Sequence, residues 1–241
     1  MPARLKATGL IWPTLLAAAA LAVLLGLGTW QMQRKAWKDD LQSQIDQRSK
    51  AAPVAARTAA VLTTLPEYTR VKAAGRFDHA AERYLYAPDP KLGPGYQVFT
   101  PLQLSDGLVL MVNRGFVPEA LRDPSRRATG QIPGEVEVTG LLRVQAPPGQ
   151  FTPANEPARN LWYWRDLPAM AGGGRRAVPA SLDVEATPLP PGGWPKGGTT
   201  LVTLTNRHLE YAITWYGLAL TLIGVYIAFA RARLTAAPRP D

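Results

Sequence analysis

Residues 7–33, ATGLIWPTLLAAAALAVLLGLGTWQMQ, run for 27 positions without a charged side chain. Arg4 and Lys6 stand before the run and Arg34 and Lys35 follow it. A second uncharged run, residues 211–230, YAITWYGLALTLIGVYIAFA, lies between Glu210 and Arg231. Twenty helical residues at about 1.5 Å each reach about 30 Å, the thickness of a bilayer core, so both runs read as transmembrane helices. A cleaved signal peptide is the competing reading of the first. The run is long for a signal core, and Gly26-Leu27-Gly28-Thr29 is a poor small-x-small cleavage site.

Two spans place both tails on one side. Arg4 and Lys6, then Arg231, Arg233 and Arg239 against Asp241, put that side in the cytoplasm by the positive-inside rule. The reading predicts residues 1–9 as a cytoplasmic tail, 10–31 and 208–230 as spans, 32–207 as an extracytoplasmic domain and 231–241 as a second cytoplasmic tail. No Arg/Ser-rich leader precedes the first run, which favours a bacterial inner membrane with a periplasmic domain over a mitochondrion.

Composition closes off several chemistries. The chain of 241 residues has no cysteine and only two histidines, His79 and His208. Disulfides, thiolate metal sites, cysteine nucleophiles and multi-histidine metal centres are therefore excluded. The net charge of +9 comes from dispersed Lys and Arg, with Arg126-Arg127 and Arg175-Arg176 as mere pairs. Lipid headgroups and solvation account for it, and no nucleic-acid partner is expected. No GxSxG, HExxH or phosphate-binding loop occurs, so an enzyme is not expected. Gly172-Gly173-Gly174 reads as a turn, and His79, after Phe77-Asp78, as a solvated turn histidine.

Between the runs the texture is that of short strands. Trp30, Arg34, Trp37 and Leu41 first continue one helical face out of the membrane. Residues 51–64 read as a bridge. Tyr68–Phe77, Arg83–Ala87, Gln97–Leu104, Leu108–Val112, Val136–Val144 and Leu161–Arg165 read as strands, with a hairpin at Ser105-Asp106-Gly107. Pro118 onward, Ala146–Pro157 and Pro188–Gly198 read as loops. The fold class expected is two transmembrane helices flanking an antiparallel, mainly β domain, barrel or sandwich.

At the outer mouth of the second run, His208, Ala212, Trp215 and Ala219 lie within about 40° of one another on a helix. Gly217, Thr221, Gly224 and Ala228 lie opposite and match Ala18, Ala22 and Gly26 of the first run. The two spans are expected to pack through these small residues, leaving the His208 face pointing elsewhere. An interfacial imidazole with two alanines below it and Trp215 beside them suits a flat apolar macrocycle whose metal takes one nitrogen ligand. An interfacial anchor or hydrogen-bonding histidine suits the same residues, and the pattern leaves both open.

Gly28-Thr29-Trp30-Gln31 with Arg34, Trp37 and Lys38, and Glu67-Tyr68 with Arg70-Val71 and Gly75-x-Phe77, are ordered blocks. Gly95-Tyr96-x-Val98-x-Thr100-Pro101-Leu102 and Val112-Asn113-Arg114-Gly115-Phe116-Val117-Pro118 follow. Gly140-Leu141-Leu142-Arg143, Pro153-x-Asn155, Trp162-Tyr163-Trp164-Arg165-Asp166 and Asn206–Tyr216 complete the series. In this order, between two spans, they resemble the Surfeit locus protein (Surf/Shy) family of cytochrome c oxidase assembly factors. The family's central aromatic is more often Trp than the Phe116 found here.

The resemblance implies a non-enzymatic factor that binds haem a transiently and assists its delivery into oxidase subunit I. It implies His208 as the axial ligand of the haem iron. Trp215 and Trp30 are then expected beside the macrocycle, with Arg34 and Trp37 completing the pocket and Tyr211 or Arg207 on its propionates. Partners implied are subunit I, a haem a synthase, other oxidase assembly factors and the lipid bilayer. Asn113, Arg114 and Gly115 are expected to serve the fold, Arg114 inside a hydrogen-bonded network. The alternative is a membrane-anchored scaffold that grips oxidase subunits without carrying haem. A two-span sensor is a third reading, which the short tails disfavour.

Overall fold

The computed structural model describes residues 9–172, 174–186, 190–200 and 202–236. Arg4, Lys6, Gly173, Pro188, Arg239 and Asp241, named above, lie outside them. The chain divides into two compact units, Met1–Ser43 with Thr203–Asp241, and Gln44–Val202.

The first unit is a pair of helices. Helix α1, Ile11–Lys50, is one unbroken element of 40 residues whose last two turns belong to the second unit. It continues through Trp30–Leu41 as the periodicity requires. Both the N-terminal part of α1 and the C-terminal helix His208–Ala236 are long and apolar enough to cross a membrane.

Among the residues of α1 that lose exposure, one series is Thr14, Ala17, Leu21, Leu24, Gly28, Gln31, Lys35, Lys38 and Gln42. These alternate by three and four, the period of a left-handed two-helix seam. The C-terminal helix answers with His208, Ala212, Trp215, Ala219, Leu222 and Tyr226. Ala212 and Ala219 are buried, and Thr14 Oγ1 is bonded to the Tyr226 hydroxyl.

The packing face is thus the opposite of the one expected from small-residue spacing. Ala18, Ala22, Gly26, Gly217, Thr221, Gly224 and Ala228 are exposed, and nothing lies within 4 Å of a side chain built at Gly26, Gly217 or Gly224. The small residue that matters is Gly28. A Cβ there would stand 2.7 Å from the Tyr216 ring, whose hydroxyl is 3.3 Å from Thr29 Oγ1. One aromatic ring lying over one glycine sets the rotation of the pair, and stripes of alanine that fit equally well elsewhere do not.

The second unit is a closed barrel. Among the described residues eight strands occur, β1 Val54–Ala56, β2 Arg70–Phe77, β3 Arg83–Tyr86, β4 Gly95–Gln103, β5 Val109–Pro118, β6 Glu135–Val144, β7 Leu161–Trp162 and β8 Ala177–Val184. They pair in the order β1-β2-β6-β8-β5-β4-β3-β7, and β2 also meets β4 through Arg76–Gln103 and Phe77–Leu102. That contact closes a five-stranded ring, β2-β6-β8-β5-β4, with β1 added to β2 and β3-β7 added to β4. The sheet is mixed rather than antiparallel, because β1–β2, β3–β7 and β5–β8 run parallel.

The expected hairpin joins β4 to β5. Gly107 takes φ +76°, and Asp106 accepts from the Leu108 amide at 3.1 Å. Four elements escape the sequence pattern. Strand β8 contains Pro179, which argues against a strand, but Pro179 sits where the β5–β8 register slips between Val109 and Met111 and no ladder amide is required. Residues 51–64 hold β1 and helix α2, Ala59–Thr64, whose Leu62 is fully buried against Val71, Leu110 and Leu182. Beyond β7, shorter than the expected 161–165, Asp166 caps helix α3, Leu167–Ala171, through the Ala169 amide.

Strand β5 also runs on through Asn113-Arg114-Gly115 to Pro118 and is buried along nearly its whole length. One face looks into the barrel through Leu110 and Val112, while Met111 packs outside with Phe99, Trp162, Leu167 and Met170. Cover on both sides turns the alternation of a half-exposed strand into a continuous apolar run. The C-terminal helix, His208–Ala236, is α4.

Candidate functional site

Arg207 and Asn206 lead into α4. The Leu204 amide donates to Gln42 Oε1 at 2.7 Å, Lys38 Nζ to the Thr205 carbonyl at 2.8 Å, and Asn206 Nδ2 to Asp39 Oδ1 at 2.8 Å. These bonds hold the entry segment along α1, so the first residue of α4, His208, arrives at a set height opposite Gln31. The His208 Nδ1 lies 2.6 Å from Gln31 Oε1. The ring is half-buried, and Gln31 is 9% exposed.

Of the other nominated residues, the helix pair brings Trp215 into the seam on the His208 face, half-buried one turn beyond Ala212. Tyr211 is exposed, and Arg207 is bound outward to Glu210 at 2.8 Å with both side chains open. Trp30 is half-exposed and off the seam. Arg34 and Trp37 form a pair of their own, the guanidinium 4.1 Å from the ring centroid, on an exposed part of α1. Trp30, Arg34 and Trp37, expected around His208, thus stand exposed on α1 and outside the packed seam. The residue the helix pair does place against His208 is Gln31, which sequence reasoning did not single out. The signal was there: Gln31 continues the three-four spacing of Thr14 to Gly28 and is a polar residue within an uncharged run.

The barrel holds the other concentration of ionisable groups. Glu82 Oε2 accepts from Arg127 Nη2 at 2.6 Å, and Oε1 from Arg114 Nη1 at 3.2 Å, all three side chains at or below 5% exposure. Tyr84 donates its hydroxyl to Glu82 at 3.2 Å. Arg114 further donates to the Gly130 carbonyl, and Arg127 Nε to that of Leu121 at 3.0 Å. His79 Nε2 meets the Ile132 carbonyl at 3.0 Å, with Nδ1 3.4 Å from Arg114 Nη1 and 3.8 Å from Glu82. It is a member of this buried cluster and not the solvated turn residue expected. Burial opposes the Glu82 charge, but bonding from His79 and Arg127 and the charges of Arg127 and Arg114 prevail and hold its pKa down to about 2. Burial, helped by the Glu82 charge, pushes the Tyr84 phenol up to about 12.

The donors and acceptors here answer one another, so the cluster fastens β3, β5 and the 3-10 turns of residues 124–130 and offers no reacting group. Neighbouring motif residues are likewise structural. Asn113 Oδ1 accepts from the Gly115 amide at 3.0 Å. Gly115 itself takes φ +111°, and a Cβ there would fall 1.8 Å from the Lys196 carbonyl oxygen. Asn155 Oδ1 caps the amides of Tyr163 and Trp164, and Arg165 bonds Asp183 at 2.8 Å.

Among the described residues no cluster of three or more His, Cys, Asp or Glu is disposed to hold a metal ion.

Comparison with known proteins covers the stretch of chain that holds the sequence blocks. The SURF1 family matches residues 18–220. A SURF1-like protein of Monosiga brevicollis is 38% identical over 92% of this chain and 88% of its own length. Surfeit locus protein 1 of Xenopus tropicalis is 40% identical over 80% of this chain and 67% of its own, and that of Homo sapiens 40% over 80% and 69%. The match runs from the apolar part of α1, through the whole barrel, into the apolar part of α4, and on that extent the chain belongs to the SURF1 family.

Proposed function

We propose that this protein is a biogenesis factor for cytochrome c oxidase that binds haem a through His208 and passes it towards oxidase subunit I. The observation that supports the reading most directly is the placing of His208. Its half-buried imidazole heads an apolar helix pair with one ring nitrogen engaged by Gln31. Haem a is apolar with a long hydrocarbon tail and travels best in or beside a bilayer. A single imidazole ligand holds the iron while allowing release to a site with stronger ligation. The two helices span the membrane in which the oxidase is assembled, and the barrel lies on the face opposite both tails. Haem a synthase and other assembly factors are the natural neighbours in that membrane, since haem a must pass from where it is made to where it is inserted.

The test is the visible spectrum of the detergent-purified chain, coexpressed with the enzymes of haem a synthesis, beside His208→Ala. A reduced haem a band present in the first and absent from the second, at equal membrane levels, supports the carrier. A band retained in His208→Ala removes His208 as the ligand. No band in either, with haem a being made, leaves a scaffold.

A further inference from the structure

We propose that Gln31 is the positioning residue for His208: its side-chain carbonyl takes the Nδ1 proton and leaves Nε2 as the unprotonated nitrogen offered to a metal. The inference rests on the reading of His208 as an iron ligand and names the residue that makes it one.

A neutral imidazole carries one N–H and one lone pair. The nitrogen facing an amide oxygen at 2.6 Å is the one with the proton, so the lone pair is on Nε2. Metal-binding histidines usually donate their second ring nitrogen to an oxygen in this way, which fixes both tautomer and ring direction. Gln31 is well placed to do it. It is a seam position of α1, almost wholly buried, where an unbonded amide would be costly.

The bond is also clamped from both sides along the helix axis. On one side stand the bonds of Gln42, Lys38 and Asp39 to residues 204–206, and on the other the Tyr216 ring over Gly28. A one-turn slip of α4 would break all of them, so the imidazole keeps its height. An amide is a weaker acceptor than a carboxylate and adds no charge to the bilayer. It orients the ring without making Nε2 strongly basic, which suits a ligand that must later let go.

The experiment uses the full-length chain in detergent micelles with 15N-labelled histidine, at a pH of about 8, above the ordinary imidazole range. The sequence holds two histidines, so two rings appear, and His79, buried in the barrel cluster, reports whether the β unit is folded. The wild-type His208 ring is expected to show protonated Nδ1 and free Nε2. In Gln31→Leu it should become a tautomer mixture with His79 unmoved. Titration with haemin should then show binding weakened about tenfold or more. Gln31→Glu keeps the acceptor, so it should keep the tautomer and bind haemin at least as tightly as wild type.

A wild-type ring protonated at Nε2, or a Gln31→Leu variant with tautomer and haemin affinity unchanged, would overturn the assignment of Gln31. So would Gln31→Glu binding more weakly than wild type. A wild type that shows protonated Nδ1 but takes up no haemin overturns the iron-ligand reading instead and reduces the Gln31 bond to helix packing. The spectrum of the metal-free ring and the haemin titration thus separate the two failures.

Discussion

Replacing Glu82 by Gln removes one charge from a site where two arginines are buried around it. The wild-type carboxylate ionises at about 2 instead of its ordinary 4.5. At about 1.4 kcal/mol per tenfold change in proton affinity, that difference is worth about 3 kcal/mol of folding stability at neutral pH. The figure agrees with the ~3–5 kcal/mol usual for breaking a buried ion pair by removing one partner. Because the folded pKa is depressed, this stability is complete above pH 4.5 and is lost as pH falls from there towards 2. Hydrogen exchange of the full-length protein, read on peptides from β3, β4 and β5, measures the opening free energy. At pH 7, Glu82→Gln should lower it by about 3 kcal/mol. The gap to wild type should then close as the urea midpoint is followed from pH 5 to pH 2. A loss below about 1 kcal/mol at pH 7, or a gap that does not change across that range, would refute the claim that Glu82 is held as an ion by Arg114 and Arg127.

Two further outcomes follow from the packing. Gly115→Ala should destabilise the barrel by about 2 kcal/mol or more, because the backbone sits at φ +111° and the new methyl meets the Lys196 carbonyl. Faster exchange of the Phe116 and Lys196 amides, which bond each other's carbonyls at 2.8 and 2.9 Å, is the readout. The native chain has no cysteine, so introduced pairs can be cross-linked cleanly. Cysteines replacing Thr14 and Tyr226 should be joined by a short bismaleimide in membranes, whereas cysteines at Gly26 and Gly217 should not. The reverse pattern would restore the small-residue face as the packing surface.

Much of the fold is legible because it depends on properties carried by short windows. Two uncharged runs, the Asp106-Gly107 turn and most strands rest on local hydrophobicity and turn chemistry. So does the fold role of Arg114, where an arginine inside an apolar strand must find partners. What local windows miss is what lies across the chain. Glu82 is 32 positions from Arg114 and 45 from Arg127, and nothing near Glu82 announces either. Strand β8 is hidden by Pro179, which is harmless only because its partner strand slips register there. His79 looked like a solvated turn residue because its partners come from far along the chain, Arg114 from strand β5 and Ile132 from the loop before β6.

The candidate site divides in the same way. His208 stands out in sequence as one of two histidines and lies at the head of an apolar run, so composition alone brings it forward. Which face of α4 carries it inward was not decidable from spacing. Both the glycine–threonine stripe and the His208–Ala212–Trp215–Ala219 stripe recur at helical intervals, and either can pack. The choice falls to the fit of the Tyr216 ring over Gly28 and to the bond between His208 and Gln31. Those are contacts between residues more than 170 positions apart in the chain. The sequence by itself determined the two apolar helices, the β texture between them and the histidine at the head of the second apolar run, since each is a property of consecutive residues. Barrel closure, the parallel pairings and the partner of His208 were decided only by tertiary structure, because each depends on which distant surfaces exclude water from one another best.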